Sequence, residues 1–162
     1  LNIPYDESGK IASRGKEKYK IIEKFLQHPY FKTKYPKSLD KNHFDGIYHQ
    51  IKKNGLSHAD FLSSLSTVTI KSIIKSIDLL PKKVKLLVIM GGGSFNTFFL
   101  NGIKSLFPGV TKTADELGLN SDFIEAELIC FLSARFLNNL TTTFPNTTGV
   151  SSPTVGGKLY KP

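Results

Sequence analysis

At 162 residues, 40% of them hydrophobic, the chain has the length of one ordinary domain and enough apolar material for a core, which argues against disorder. Its single cysteine cannot close an intramolecular disulfide, and four scattered histidines (His28, His43, His49, His58) give no metal-ligand spacing, so a reducing, cytoplasmic setting without a bound metal site is expected. A formal charge of +9 invites a nucleic-acid reading, but lysines spread over expected helix faces, with only Arg14 and Arg135 as arginines, fit a solvated surface better, and no nucleic-acid partner is expected. Apolar runs such as Leu86 to Gly93 fall short of the roughly 20 residues a membrane helix needs, and Leu1-Asn2-Ile3-Pro4 shows no leader, so no membrane association is expected either. Without an initiator methionine, the chain is expected to begin inside a longer polypeptide.

Tyr5-Asp6-Glu7-Ser8-Gly9 is turn-forming. Tyr19, Ile22, Phe25 and Leu26 then recur at helical spacing until Pro29, which predicts a first helix. After a lysine- and tyrosine-bearing loop from His28 to Ser38, Phe44, Ile47, Tyr48 and Ile51 predict a second, closed by Gly55. Ser57 and Asp60 resemble a capping box for a third, longest helix, whose stripe of Phe61, Leu62, Leu65, Ile73, Ile74 and Ile77 ends at Pro81.

Val84 to Met90 is a continuous apolar run before three glycines and reads as a parallel strand buried on both faces. Phe95, Phe98, Phe99, Ile103 and Leu106 predict a helix, Pro108-Gly109 a turn, and Val110 to Thr113 a second strand. Asn120 or Ser121 is the expected cap of a last helix carrying Ile124, Leu128, Phe131 and Leu132 as far as Asn138-Asn139, followed by a Thr-, Ser-, Gly- and Pro-rich tail. The class is therefore α/β, helix-rich, with a strand, glycine turn, helix, strand unit. A helical segment (1–81) precedes that unit, the last helix and the tail (82–162).

Gly91-Gly92-Gly93 between a strand and a helix puts backbone N–H groups at a positive helix terminus with no Cβ to hold a ligand off. Spacing alone fits equally a tight turn that binds nothing. A P-loop is excluded, since the next lysine after the glycines is Lys104. A dinucleotide fingerprint lacks its third glycine, where Asn96 stands, although Asp115 falls roughly where a ribose-binding acid would.

Met90-Gly91-Gly92-Gly93-Ser94-Phe95-Asn96 resembles the Gly-Gly-Gly-Ala-x-Asn segment of anhydro-N-acetylmuramic acid kinases, in the sugar kinase/actin/heat-shock ATPase superfamily. Thr113-Ala114-Asp115-Glu116-Leu117-Gly118 and Ile124-Glu125-Ala126-Glu127 are similar to its Thr-x-Asp-Glu-x-Gly and Glu-Ala segments. Phe144-Pro145-Asn146-Thr147-Thr148-Gly149 resembles its Leu-Pro-x-x-Thr-Gly, Tyr5 to Ala12 its Asp-x-x-Gly-x-x-Ala turn, and Pro36-Lys37-Ser38 its substrate loop.

The resemblance implies the incomplete C-terminal lobe of an actin-like (ribonuclease-H-like) ATPase fold. It also implies an enzyme that uses ATP, Mg²⁺ and water to convert 1,6-anhydro-N-acetylmuramic acid to N-acetylmuramic acid 6-phosphate in cell-wall recycling. By that likeness Gly91, Gly92, Gly93 and Asn96 are nucleotide contacts, and Glu125, Lys37 and Ser38 sugar contacts. No catalytic residue is expected in this chain: the family's general-base aspartate belongs to an Asp-x-Gly-Pro-x-Asn stretch in the N-terminal part, with the phosphate loops. Because phosphoryl transfer depends on positioning around the γ-phosphate, the chain alone is expected to be inactive. An N-terminal companion polypeptide or a homodimer is the expected partner, and a non-catalytic nucleotide-binding or scaffold remnant is the alternative. Leu39-Asp40-Lys41-Asn42 replaces the family's Thr-Gly-Arg-Glu, losing an arginine and a carboxylate.

Overall fold

The structure is a computed structural model that describes residues 3–53 and 55–160. Its elements are α1 (Tyr19–Leu26), α2 (Asp45–Lys53), α3 (His58–Ile77), β1 (Leu86–Ile89), α4 (Thr97–Leu106), β2 (Val110–Thr113), α5 (Ile124–Leu137) and a single turn, α6 (Pro145–Thr148). All five expected helices form. The side chains of Ile47 and Ile51, expected on the stripe of α2, and the chain ends at Leu1 and Pro162 lie outside the described residues.

The 20-residue α3 is the wall shared by two apolar clusters. On one side Val68 packs with Ile22 and Leu26 of α1 and with Phe31. Phe25 stacks on Phe44 there, ring centroids 4.7 Å apart. On the other side Ile70 packs with Ile103 of α4 and with Phe107, joined by Leu87 and Ile89 of β1. Ile22 and Ile103 are almost wholly buried, and burial of a side chain of this size stabilises by about 1.5–3 kcal/mol.

Ahead of both clusters along its length, α3 presents small hydroxyl residues, Ser63, Ser64, Ser66 and Thr67, all buried. The segment before α1 approaches the start of α3 closely at Gly15, where a Cβ would lie 2.0 Å from the Ala59 carbonyl oxygen. The buried hydroxyls of Ser64 and Thr67 are matched: Ser64 Oγ donates to the Asp60 carbonyl (2.8 Å) and accepts from Lys18 N–H (3.0 Å), while Thr67 Oγ1 donates to Glu17 Oε1 (2.8 Å). Ser57 caps α3 by accepting from Asp60 N–H (3.1 Å). The expected box is only half made, because the Asp60 carboxylate accepts from Lys16 N–H (2.7 Å) and pairs with Lys18 Nζ (2.8 Å).

β1 and β2 pair in parallel, Leu86 opposite Val110 through Ile89 opposite Thr113, with α4 as the crossover. The strand expected from Val84 to Met90, buried on both faces, is shorter and only half-covered: Leu86 is 46% exposed and no residue of β1 is buried. The length is set by its four-residue partner. One face meets α3 and α4, and among the described residues no layer covers the other.

Neither expected residue caps α5. Asn120 Oδ1 accepts from Asp122 N–H (3.0 Å), and buried Ser121 bonds to Asp115, leaving Phe123 as a cap without a side-chain bond. The tail is more ordered than its composition suggests: Thr143 and Thr154 form an antiparallel bridge, and Pro145 starts α6. Among the described residues no helix is long and apolar enough to cross a membrane.

Candidate functional site

At the carboxyl end of β1 the chain turns through Gly91, whose φ of 71° and ψ of −172° suit glycine almost alone. The next four residues, Gly92–Phe95, wind into a 3₁₀ turn. Buried Ser94 locks it, with N–H and Oγ both donating to the Gly91 carbonyl (2.9 and 2.8 Å). Asn96 then caps α4, its Oδ1 accepting from Phe99 N–H (3.1 Å). With Oδ1 engaged, the side-chain NH₂ is the group Asn96 offers to a ligand.

A Cβ built on Gly91, Gly92 or Gly93 would meet nothing within 4 Å. The triplet therefore borders open space, and the turn is not plugged by its own flanks. A cavity of about 800 Å³ opens there, walled by Gly92, Phe95 and Asn96, by Leu62 and Leu65 of α3, and by Asp122 ahead of α5. The turn at Tyr5, Asp6, Glu7 and Ser8 forms another of its walls. That turn is closed by Asp6, whose carboxylate accepts from Ile11 N–H (2.8 Å) and Ala12 N–H (2.9 Å). It is fastened to α4 by Thr97 Oγ1, which donates to the Ser8 carbonyl (2.8 Å). Gly9, at φ +73°, lies so close that a Cβ there would stand 2.4 Å from Asn96 Oδ1.

The expected site residues divide. Gly92 and Asn96 line this cavity, with Gly91 and Gly93 adjoining them, whereas Glu125, Lys37 and Ser38 do not. Glu125 is exposed in the first turn of α5, where a negative charge suits the helix dipole. Lys37 Nζ donates to the Tyr30 carbonyl (2.8 Å) and lies 4.3 Å from the Tyr30 ring centroid, while Ser38 is exposed. The loop that holds them meets the C-terminal Phe144–Gly149 segment, since a Cβ on Gly149 would be 3.6 Å from Pro36 Cγ. Sequence reasoning missed Asp122 as a cavity wall; no motif marked it.

Asp115, the carboxylate that a dinucleotide reading would use, is held below its ordinary range by hydrogen bonds from Ser121 Oγ–H and N–H. It closes the turn after β2, and it is absent from the cavity wall. Among the described residues no group of three His, Cys, Asp or Glu side chains is placed to hold a metal ion.

The fold and site define a mixed α/β unit with an open, backbone-lined crevice where a strand passes into a helix. The family model for anhydro-N-acetylmuramic acid kinase matches residues 1–162. An anhydro-N-acetylmuramic acid kinase of Rhizobium rhizogenes (strain K84) is 38% identical over 155 residues, covering 95% of this chain and 40% of that relative. Those of Rhodopseudomonas palustris strains BisB18 and HaA2 are 36% and 38% identical, covering 98% and 100% of this chain and 43% of each relative. The chain belongs to the anhydro-N-acetylmuramic acid kinase family, a family of kinases, and spans about two fifths of the length of these relatives.

Proposed function

We propose that this chain is part of the C-terminal lobe of an actin-like ATPase fold and supplies the nucleotide-side wall of an ATP-dependent, cytoplasmic sugar kinase. The reaction is conversion of 1,6-anhydro-N-acetylmuramic acid to N-acetylmuramic acid 6-phosphate in peptidoglycan recycling. The observation that carries the reading is the open space beside Gly91, Gly92 and Gly93 at a cavity of about 800 Å³. The 3₁₀ turn ahead of α4 leaves its glycine amides open to a phosphorylated ligand, with no Cβ in the way, and the free NH₂ of Asn96 suits an acceptor atom on it.

Segments 1–81 and 82–162 then serve as the helical part with the substrate loop and as the nucleotide-contacting unit. Glu125, Lys37 and Ser38 belong to the sugar side, completed by polypeptide outside this chain. That polypeptide, a companion or the rest of one chain, carries the general base and phosphate loops, so the chain alone is inactive. A Mg²⁺ ion would take its ligands from the nucleotide and from that other polypeptide, since the cavity's own carboxylates, Asp6, Glu7 and Asp122, form no three-ligand cluster.

The test is a chimera in which this chain replaces the matched segment of the Rhizobium rhizogenes relative. ADP release should require both ATP and the anhydro-sugar. Gly92→Val should weaken ATP binding at least about tenfold, equivalent to roughly 1.4 kcal/mol, with the melting temperature kept. A folded chimera that binds no ATP, or a Gly92→Val variant that binds as the parent does, sinks the proposal. The separation of Glu125, Lys37 and Ser38 from the cavity favours a second reading, a nucleotide-binding remnant without catalysis. It is distinguished by ATP binding without ADP release.

A further inference from the structure

The polar side chains of α5 are Glu125 and Glu127 in its first turn, Ser133, and Arg135 in its last. All the rest is apolar, and a helix that is hydrophobic around its circumference is normally buried. Here no residue of α5 is buried, and Leu128, Ile129 and Phe131 are 52%, 62% and 58% exposed. The chain's own tail covers only one side, where Gly157 lies against Phe136.

This bare surface continues into the cavity mouth, because Asp122, just ahead of α5, shares that wall with Gly92, which follows β1. β1 is itself under-covered, paired on one edge in a two-stranded parallel sheet, although parallel sheets are ordinarily covered on both faces. The relatives have polypeptide to spare: the match takes up only 40–43% of their length.

We infer that the exposed apolar surface of α5, together with the uncovered side of β1, is the docking face for the polypeptide that the relatives carry outside the matched stretch. The acidic first turn forms one end of the contact, and Leu128, Ile129 and Phe131 its apolar centre. The inference rests on family membership and on the exposure of α5, and it is independent of what the glycine turn binds.

Cys130 is a free, exposed thiol between Ile129 and Phe131 and reports directly on cover over α5. Its alkylation by iodoacetamide, followed at peptide level by mass spectrometry, should be at least about tenfold slower in the folded chimera than in this chain alone. An equal rate in a cooperatively melting chimera overturns the inference. So does protection of Cys130 that rises with the concentration of the isolated chain to the chimera's level, which assigns the face to a second copy. A separate measurement needs no chimera: Ile129→Gln with Phe131→Gln should leave the isolated chain's melting temperature within about 2 °C. A larger fall would mean that α5 packs within this chain and would overturn the inference. A chimera with protected Cys130 but no ADP release refutes the proposed reaction and leaves the docking face standing.

Discussion

Alanine at Gly91 and at Gly92 should behave oppositely, though the two glycines are neighbours bordering the same open space. Gly91 holds φ 71° and ψ −172°, a region essentially reserved for glycine, so Gly91→Ala costs about 1–3 kcal/mol. Gly92 begins the 3₁₀ turn without a left-handed φ, and an added Cβ meets nothing within 4 Å. Alanine there only restricts the unfolded chain and stabilises by about 0.4–1 kcal/mol. In a protein of this size 1 kcal/mol moves Tm by about 2–4 °C, so Gly91→Ala should lose roughly 2–12 °C and Gly92→Ala should hold or gain up to about 4 °C. Thermal melts followed by circular dichroism in the absence of ligand decide it. Equal losses would refute the reasoning, since they would mean that Gly92 is required by the fold and not by what approaches it.

Ile103→Ala, at the centre of the cluster shared by α3, α4 and β1, should cost about 2–5 kcal/mol in chemical denaturation. Asn96→Ala removes the cap of α4 and should cost about 0.5–2 kcal/mol by the same measurement. Gly15→Ala forces a Cβ toward the Ala59 carbonyl and should cost about 1–3 kcal/mol, with α1 loosened from α3 in hydrogen exchange. The Asp60 carboxyl is held below its ordinary value of 3.8 by Lys16 N–H and then by the Lys18 ammonium. Its contribution to stability is complete above the unfolded value and lost as pH falls through the folded one. Asp60→Asn should therefore lower Tm at pH 7, and the difference should close below about pH 3.8.

The helices were readable because each carries its apolar residues at i, i+3 and i+4, a pattern that survives whatever lies beyond the chain. Burial was not: Val84 to Met90 and α5 are written for a two-sided interior, and their sequences cannot state that this chain supplies only one side. Ser121 had the chemistry of a helix cap, yet a carboxylate six residues earlier takes it, a tertiary choice invisible to local spacing. The glycine turn was legible as a motif, whereas the capping of α4 by Asn96 emerged only from the structure. The front turn at Tyr5 to Ser8 as a wall of the same opening depends on a contact across some ninety residues of sequence between Ser8 and Thr97. The bridge between Thr143 and Thr154 is likewise an isolated pairing with no flanking strand pattern.

Tyr5 and Asp6 stand at the lip of the cavity, so whatever is joined ahead of them enters the molecule at its doorway. A bulky group attached at Tyr5 would therefore crowd an incoming ligand.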